Sequence, residues 1–315
     1  MAEAGPRGSA QALVITGPTA TGKTAVAVEV ALRLGGEIIS MDSRQVYRGM
    51  DIGTAKPAVE ERRGVPHHGF DLVDPDERFN AGRFAALARD WIDRIRGRGG
   101  VPILAGGTGF FLRALTSPMF DEPPLDAGLK ERWKRFLATL DTETLARWAA
   151  ALDPASVVRV GDRQRLARVV EVAVLTGRPL SWWHGHTVAA PPVDVQAFVL
   201  DLPPESLRRR IEDRVEAMVR AGLVDEVRGL LDAGFDEGAP GMNATGYIEL
   251  VPYFSGERSL DEAVAMIKAA TRRYARRQRT WFRHQLPPGA RRLDAALPAG
   301  QLADIIVGVW REETR

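Results

Sequence analysis

The feature that most constrains the fold is the glycine-rich stretch GPTATGKT at residues 17–24. It follows the apolar run at residues 12–15 and precedes a segment whose apolar residues recur at helical spacing. Glycines let successive backbone N–H groups point at one anion, and the positive end of the following helix adds to the attraction. Lys23 supplies a full positive charge, and the Thr24 hydroxyl is placed to bind Mg²⁺. The sequence therefore predicts a diphosphate site made by Gly17, Pro18, Thr19, Ala20, Thr21, Gly22, Lys23 and Thr24.

Strand and helix patterns alternate through the first third of the chain. The runs ALVIT, EIIS and VPILAGG are typical of buried strands, and helical patterns at residues 22–34 and 82–97 lie between them. Such alternation is typical of a parallel sheet covered by helices on both faces. The sequence thus predicts an α/β fold with a P-loop NTPase-like parallel sheet core. Ligand sites in such sheets lie beyond the carboxyl ends of the strands.

The pattern changes after about residue 120, where a Pro- and acid-rich joint precedes residues with helical spacing only. A second Pro-rich joint ends this part, and strand and helix patterns then return. We expect a flexible N-terminus at 1–11, a core domain built from 12–120 and 195–315, and an all-helical insertion domain at 121–194.

Composition limits the class of protein. The chain has 315 residues, 45% of them hydrophobic, a net charge of +2 and no cysteine. Disulfides and thiolate metal sites are therefore excluded. No apolar run approaches the ~18 residues that span a membrane, and the first residues lack the apolar core of a signal peptide. We expect a cytoplasmic protein, monomeric and without a membrane partner.

Positive charge is concentrated late in the chain. No acidic residue occurs between Glu262 and Asp294, and residues 260–285 have the pattern of one helix. Ile267, Tyr274 and Trp281 recur every seventh residue and predict a buried seam, while another face carries Arg272, Arg276, Arg279 and Arg283. A solvated surface helix usually mixes signs, so this stripe favours a polyanionic partner. A weaker basic cluster, on a shorter helix, consists of Arg159, Arg163, Arg165 and Arg168.

Two acids at strand ends are candidates for the chemistry beside the phosphate loop. Asp42 follows the second strand, where it could bind Mg²⁺ or act as a base on a substrate. Asp201 closes the strand AFVLD and competes for the metal role, although it could instead cap the following turn. The spacing does not decide between these alternatives.

A longer set of motifs resembles the tRNA dimethylallyltransferase (tRNA isopentenyltransferase) family. GPTATGKT is followed, in order, by DSRQVYRGMDIGTAKP, VPHH, GGTGFFLRAL and RRYARRQRTWFR. The resemblance runs from about residue 12 to residue 285. It implies that the phosphate loop holds dimethylallyl diphosphate and not ATP. It also implies transfer of the five-carbon group to N6 of the adenosine immediately 3′ of a tRNA anticodon, with Mg²⁺ as cofactor.

The resemblance also implies roles for particular residues. Asp42, Thr108 and Arg214 are the expected catalytic residues, with Arg210 the weaker candidate for the arginine beside the diphosphate. The expected tRNA contacts are Asp42, Ser43, Arg44, Gln45, Gln164, Arg165, Leu166, Ala167, Arg168, Asn243, Ala244, Thr245, Gly246, Tyr247, Arg276, Arg277, Arg279 and Arg283. The insertion is expected to clamp the anticodon stem.

Three rival functions share parts of this pattern. An ATP-dependent kinase or NTPase would use the same loop, and an RNA-binding protein could retain the loop as a relic. A prenyltransferase acting on free adenosine nucleotides would share the chemistry. The acid-free helix and the helical insertion favour tRNA as the acceptor.

Overall fold

A computed structural model describes residues 10–117, 125–157, 163–186 and 190–313. The chain forms two compact units. One joins Met1–Ser117 to Pro192–Arg315, and the other is Pro118–Pro191. Most of the expected flexible N-terminus lies outside the described residues, as do residues 118–124 of the first joint and Arg159 of the weaker basic cluster.

The first unit is built on a six-stranded sheet in the order β3-β2-β4-β1-β5-β6. All of its neighbouring strands are parallel. The strands are β1 (Ala12–Thr16), β2 (Gly36–Ser40), β3 (His67–His68), β4 (Val101–Gly106), β5 (Val195–Asp201) and β6 (Arg291–Asp294). The predicted parallel α/β core is confirmed. The two edge strands were not predicted, because one is very short and the other, RRLD, has no apolar run.

Helices connect and cover these strands. In the first unit they are α1 (Lys23–Leu34), α2 (Val59–Arg62), α3 (Ala81–Gly97), α4 (Gly109–Thr116), α10 (Pro204–Arg220), α11 (Leu223–Asp232), α12 (Val251–Phe254), α13 (Leu260–His284) and α14 (Ala299–Glu313). The strand β1 is entirely buried, and its Leu13 and Ile15 pack in a cluster with Val26 of α1 and Ile306 of α14. This core fixes the loop between β1 and α1. None of the described helices is both long and apolar enough to cross a membrane.

The long helix α13 begins at a capping box, in which Ser259 and Glu262 satisfy each other's backbone N–H groups. Its buried residues are Ala263, Ile267, Ala270, Ala275, Gln278 and Phe282. The predicted seam was therefore wrong in part, because Tyr274 and Trp281 are only half-buried. Small residues bring the helix close to the sheet domain, and they do not follow the seven-residue spacing of the large ones.

The second unit is helical throughout its described part. Its helices are α5 (Ala127–Thr139), α6 (Thr142–Leu152), α7 (Pro154–Val157), α8 (Arg163–Thr176) and α9 (Leu180–His186). They enclose a separate apolar cluster that includes Leu137, Leu145, Val169 and Val170. Each unit thus has a core of its own.

The second boundary between the units falls three residues before the predicted one. Val193 N–H donates to the carbonyl of Leu115 at 2.9 Å, and Gln11 N–H donates to the carbonyl of Asp194 at 2.9 Å. These hydrogen bonds attach the residues before β5 to the sheet unit, whose second segment begins at Pro192.

Candidate active site

A cavity of about 580 Å³ opens at the carboxyl ends of the central strands. Three segments that follow strands meet in its wall: the phosphate loop after β1, Asp42 after β2, and Gly107 after β4. This is the position at which parallel α/β sheets bind ligands. Helix residues Arg214, Tyr274 and Gln278 and the loop residues Thr54, Ala55, Lys56 and Pro57 complete much of the wall.

The phosphate loop has a tightly wound backbone. Gly17 has a φ of 143°, and a Cβ at this position would lie 2.2 Å from the carbonyl oxygen of Leu200. Only glycine fits there. Thr21 donates a side-chain hydrogen bond to the carbonyl of Pro18 at 2.9 Å. Gly17, Pro18 and Thr21 therefore shape the loop from behind, while Thr19, Ala20, Gly22, Lys23 and Thr24 line the cavity.

Two of the cations that line this cavity, Lys23 and Arg214, are poorly solvated. Burial, reinforced by the charge of Arg214, lowers the pKa of Lys23 from 10.5 to about 7, against the opposing effect of Asp42. Burial also lowers the pKa of Arg214, and Asp42 and Glu61 oppose that shift. Two poorly solvated cations in one cavity are an environment that favours a multiply charged anion. Arg210 is exposed and is not part of the cavity wall, so the structure favours Arg214 for the expected role.

The carboxylate of Asp42 is anchored at one oxygen only. Its Oδ1 accepts a hydrogen bond from the backbone N–H of Arg44 at 2.8 Å. Within the described part of the chain, no hydrogen bond reaches the other oxygen. This arrangement holds the carboxylate at the cavity wall and leaves one oxygen able to accept a proton.

Asp201, the alternative acid, is committed elsewhere. Its Oδ1 accepts from the backbone N–H of Leu202 at 2.9 Å and lies 3.3 Å from Nε of Arg279. Arg292 lies 3.8 Å from its other oxygen. Asp201 does not line the cavity. Of the two roles left open by the sequence, the geometry agrees with capping and ion pairing and not with binding a metal in the cavity.

Thr108 stands just behind the cavity wall. Its hydroxyl accepts from the backbone N–H of Ser43 at 3.0 Å, which ties the start of α4 to the segment after Asp42. Tyr274 interacts with the same threonine, and burial raises the pKa of Tyr274 to about 12, with a further contribution from the charge of Asp42. Tyr274 therefore enters the site as a neutral hydroxyl at physiological pH.

Sequence reasoning missed two contributors to the cavity. Gln278 interrupts the arginines of α13, and this break in the charged run is the signal that could have revealed it. The other is Glu226 of α11, which lies behind the loop at residues 51–57. Its carboxylate accepts from the backbone N–H groups of Asp51, Ile52 and Gly53 at 2.9, 2.7 and 3.1 Å. Glu226 thus holds the start of the loop whose later residues line the cavity.

The arginines of α13 differ in burial and in their acidic partners. Arg272 donates to Glu212 of α10 at 2.8 Å, and Arg279 is half-buried beside Asp201. Arg276, Arg277 and Arg283 are exposed. The expectation that Arg279 binds tRNA stays a prediction, although its guanidinium already lies beside the carboxylate of Asp201.

Several other expected tRNA contacts are buried. Tyr247 is fully buried and donates its hydroxyl hydrogen bond to Glu226 at 2.5 Å, and Ala244 and Leu166 are 2% and 4% exposed. These three side chains are buried in the fold, so any RNA contact by these residues would be made by their backbone groups, and the expectation stays a prediction. Gln45 is also buried: its amide donates to the carbonyls of Thr54 and Ala55 and accepts from Ser40.

All but one of the remaining expected contacts are at least partly accessible in their own units. Asn243, Gln164 and Arg165 are exposed, and Ser43, Arg44, Thr245, Ala167 and Arg168 are half-buried, whereas Gly246 is buried. Arg44 donates to the carbonyl of Pro240 at 3.1 Å, and Arg168 donates to Glu171 at 2.5 Å. Accessibility leaves their predicted role open.

The oxygen donors of the cavity are compatible with Mg²⁺. Thr24 is exposed at the start of α1, and it lines the same cavity as the carboxylate of Asp42. Mg²⁺ takes oxygen ligands and is commonly bound through one or two protein groups together with substrate phosphates and water. The residues present therefore fit this ion.

The fold and the cavity together define an α/β protein with a P-loop-like core. Within it, the carboxylate of Asp42 lines the same cavity as the phosphate loop, from the end of β2, which β4 separates from β1. Comparisons with known proteins narrow the class. A family model described as IPP transferase matches residues 45–285, and one described as isopentenyl transferase matches residues 10–68.

The chain is 45% identical over 273 residues to a tRNA dimethylallyltransferase of Desulforudis audaxviator, covering 86% of this chain and 88% of that protein. It is 46% identical over 274 residues to one of Geobacter metallireducens, covering 86% and 89%. This chain therefore belongs to the tRNA dimethylallyltransferase family of prenyltransferases.

Solved structures agree. A tRNA delta(2)-isopentenylpyrophosphate transferase from Staphylococcus epidermidis matches with a TM-score of 0.69 and 36% identity, covering 95% of this chain and 98% of that one. A eukaryotic dimethylallyltransferase acting on tRNA matches with a TM-score of 0.78 and 29% identity, covering 90% and 73%.

Proposed function

We propose that this protein transfers the dimethylallyl group of dimethylallyl diphosphate to N6 of the adenosine immediately 3′ of the anticodon of tRNA. The products are N6-(dimethylallyl)adenosine and diphosphate. The observation that carries the proposal is one cavity that unites the phosphate loop, two poorly solvated cations and an anchored carboxylate. Membership of the family supports the identity of both substrates.

The residues suit the balance of charge in this reaction. The nitrogen lone pair of N6 forms a bond to the terminal carbon of the dimethylallyl group, while the bond from that carbon to the diphosphate oxygen breaks. The electron pair of that bond leaves with the diphosphate, where Lys23, Arg214 and the loop N–H groups stabilise the growing negative charge. The N6 proton passes to the carboxylate of Asp42. Thr108, through Ser43, holds the segment that carries this carboxylate.

We also propose a divalent metal as cofactor. Thr24 would hold Mg²⁺, which would supply further charge stabilisation for the leaving diphosphate.

Electrostatics and architecture support tRNA as the acceptor. Arg276, Arg277 and Arg283 provide exposed positive charge on α13, the helix whose inner face lines the cavity. The helical unit would contact the anticodon stem through residues near Gln164 and Arg165. Extruding a base from a stacked loop costs about a few kcal/mol, which backbone contacts from arginines can offset. We propose a monomeric, cytoplasmic enzyme, because described residues of one chain line the cavity and tRNA is abundant in the cytoplasm.

Incubation with radiolabelled dimethylallyl diphosphate tests this function. Parallel reactions contain unmodified tRNA, the same tRNA with guanosine in place of the target adenosine, or AMP. We expect label in the unmodified tRNA alone. Label in AMP would instead support a nucleotide prenyltransferase, and tRNA-stimulated hydrolysis of ATP would move the protein into the NTPase class. The Lys23→Ala variant provides the matched inactive control.

A further inference from the structure

We propose that Gln278 is a positioning residue that holds the phosphate loop in its diphosphate-binding conformation. The inference rests on the proposed function, because the ligand concerned is the diphosphate of the prenyl donor. Gln278 lies on α13, between arginines expected to meet tRNA, yet its side chain points into the protein. It therefore links the helix that carries the basic face to the loop that holds the donor.

Both ends of the Gln278 amide are used. The side-chain oxygen accepts a hydrogen bond from the backbone N–H of Thr19 at 2.9 Å, and the side-chain nitrogen donates to the carbonyl of Gly107 at 2.8 Å. The residue is only 6% exposed. One neutral side chain thus connects the phosphate loop after β1 to the segment after β4, and its two hydrogen bonds fix their separation.

The amide lies directly against the backbone of Gly107. A Cβ at Gly107 would lie 2.3 Å from the side-chain nitrogen of Gln278. The glycine is therefore needed for the close approach, since a real Cβ atom does not tolerate that separation. One helical turn earlier, Tyr274 lines the same cavity, so two successive inward residues of α13 touch the site.

The contact with Thr19 also affects how the loop recognises its ligand. A phosphate loop binds anions through converging backbone N–H groups. Here the N–H group of Thr19 donates to Gln278, so this N–H group is turned away from the anion. The same hydrogen bond holds the carbonyl of Thr19 and the flanking residues in one orientation. Without Gln278, Thr19 N–H and Gly107 C=O would both lose a buried partner, and the loop would rearrange to satisfy them.

The expected consequence is that the protein binds the diphosphate of the prenyl donor more weakly. When only a fraction of molecules has the binding conformation, the apparent affinity falls by that fraction. A typical hydrogen bond corresponds to roughly 2- to 12-fold in an equilibrium constant, so removing both predicts about tenfold or more. The affinity for tRNA should change little, because the side chain is nearly buried and its amide contacts the phosphate loop and Gly107.

The test compares two buried glutamines in the same protein. Gln278→Ala removes the linking amide, whereas Gln196→Ala truncates a glutamine on β5 that is 7% exposed and whose amide has no hydrogen-bond partner among the described residues. Titration calorimetry with inorganic diphosphate and Mg²⁺ measures affinity directly, without prenyl transfer. We expect the dissociation constant to rise about tenfold or more for Gln278→Ala and to stay within twofold for Gln196→Ala. Thermal unfolding of both variants measures how much truncation of a buried glutamine lowers the stability of the protein.

Gly107→Ala supplies an independent variant, because its Cβ displaces the amide while Gln278 itself is intact. It should weaken diphosphate binding as Gln278→Ala does, and the double variant should be no weaker than Gln278→Ala alone. Such non-additivity is not expected from two separate losses of stability. If Gln278→Ala does not fold, the Gly107→Ala result decides.

The outcomes separate this inference from the proposed function. If the wild-type protein does not bind diphosphate, both are overturned. If it binds diphosphate and the Gln278→Ala and Gly107→Ala variants bind it equally well, only the positioning role is overturned. In steady-state transfer assays, the same loss should appear in KM for dimethylallyl diphosphate and not in KM for tRNA.

Discussion

Lys23 donates a hydrogen bond from Nζ to the backbone carbonyl of Pro18 at 2.7 Å, so the lysine side chain folds back onto the phosphate loop. Burial and the charge of Arg214 lower its pKa to about 7. We therefore expect the unliganded protein to carry a substantial fraction of neutral lysine at slightly alkaline pH. A diphosphate stabilises the ammonium form, so binding should raise the pKa and draw a proton from solution.

The first prediction is therefore proton uptake on diphosphate binding. At pH 8, above this pKa, full protonation of the lysine should take up most of one proton. Calorimetric titrations in buffers of different ionisation enthalpy measure the uptake. Because diphosphate itself titrates, the control is Lys23→Arg, whose guanidinium stays charged. Equal uptake by the two proteins would show that Lys23 is already charged before binding.

The second prediction separates the arginines of α10. Arg214 lines the cavity and would contact the departing diphosphate, whereas Arg210 is exposed on the same helix. Arg214→Met should lower the single-turnover rate of transfer by about 10²–10³-fold, the usual effect of removing one group that stabilises developing negative charge. Arg210→Met should change it less than threefold. A comparable loss in both variants would mean that α10 acts through its general charge.

Local patterns predicted most of the core, because each depends on neighbours in sequence. The apolar runs of β1, β2, β4 and β5 and the glycine-rich loop identified the sheet and the phosphate site. The edge strand β6 escaped notice, since Arg291 and Arg292 give it a charged surface and its strand character comes from pairing with β5.

The contacts inside the site could not be predicted in this way. Gln278 and Thr19 are 259 positions apart, and nothing near either residue specifies the other. Charge patterns likewise identified the basic helix, but they did not show which of its arginines form ion pairs. Arg276 and Arg279 have similar neighbours in the sequence, and only the fold brings Asp201 close to Arg279. Burial of Tyr247 and Leu166 inside segments expected to meet tRNA has the same cause.

The third prediction concerns the exposed arginines of α13. If Arg276, Arg277 and Arg283 contact RNA phosphates, the affinity for tRNA should fall steeply with salt. Each Ala substitution should then reduce the slope of log affinity against log salt by about one unit. Arg272→Ala is the matched control, because this arginine is paired with Glu212. Filter binding across a salt series measures the slope. A triple variant with the wild-type slope would mean that this face is only solvated.

The final prediction assigns the carboxylate of Asp42. Asp42→Asn keeps the size of the side chain and its hydrogen bond from Arg44, but it removes the charge and the basicity. If Asp42 is the base that accepts the N6 proton, turnover should fall by about 10²–10⁴-fold with substrate affinities nearly unchanged. Asp201→Asn is the control, since that acid also ends a strand but is paired with Arg279 outside the cavity.

A Mg²⁺ titration distinguishes this role from metal binding. A lost metal ligand raises the concentration of Mg²⁺ that is needed, and excess Mg²⁺ then restores the rate. A lost base leaves the rate low at every concentration, because added Mg²⁺ does not supply a proton acceptor. Single-turnover rates of Asp42→Asn should therefore remain low across the titration. Recovery to near the wild-type rate at high Mg²⁺ would show that Asp42 is a metal ligand and not the base.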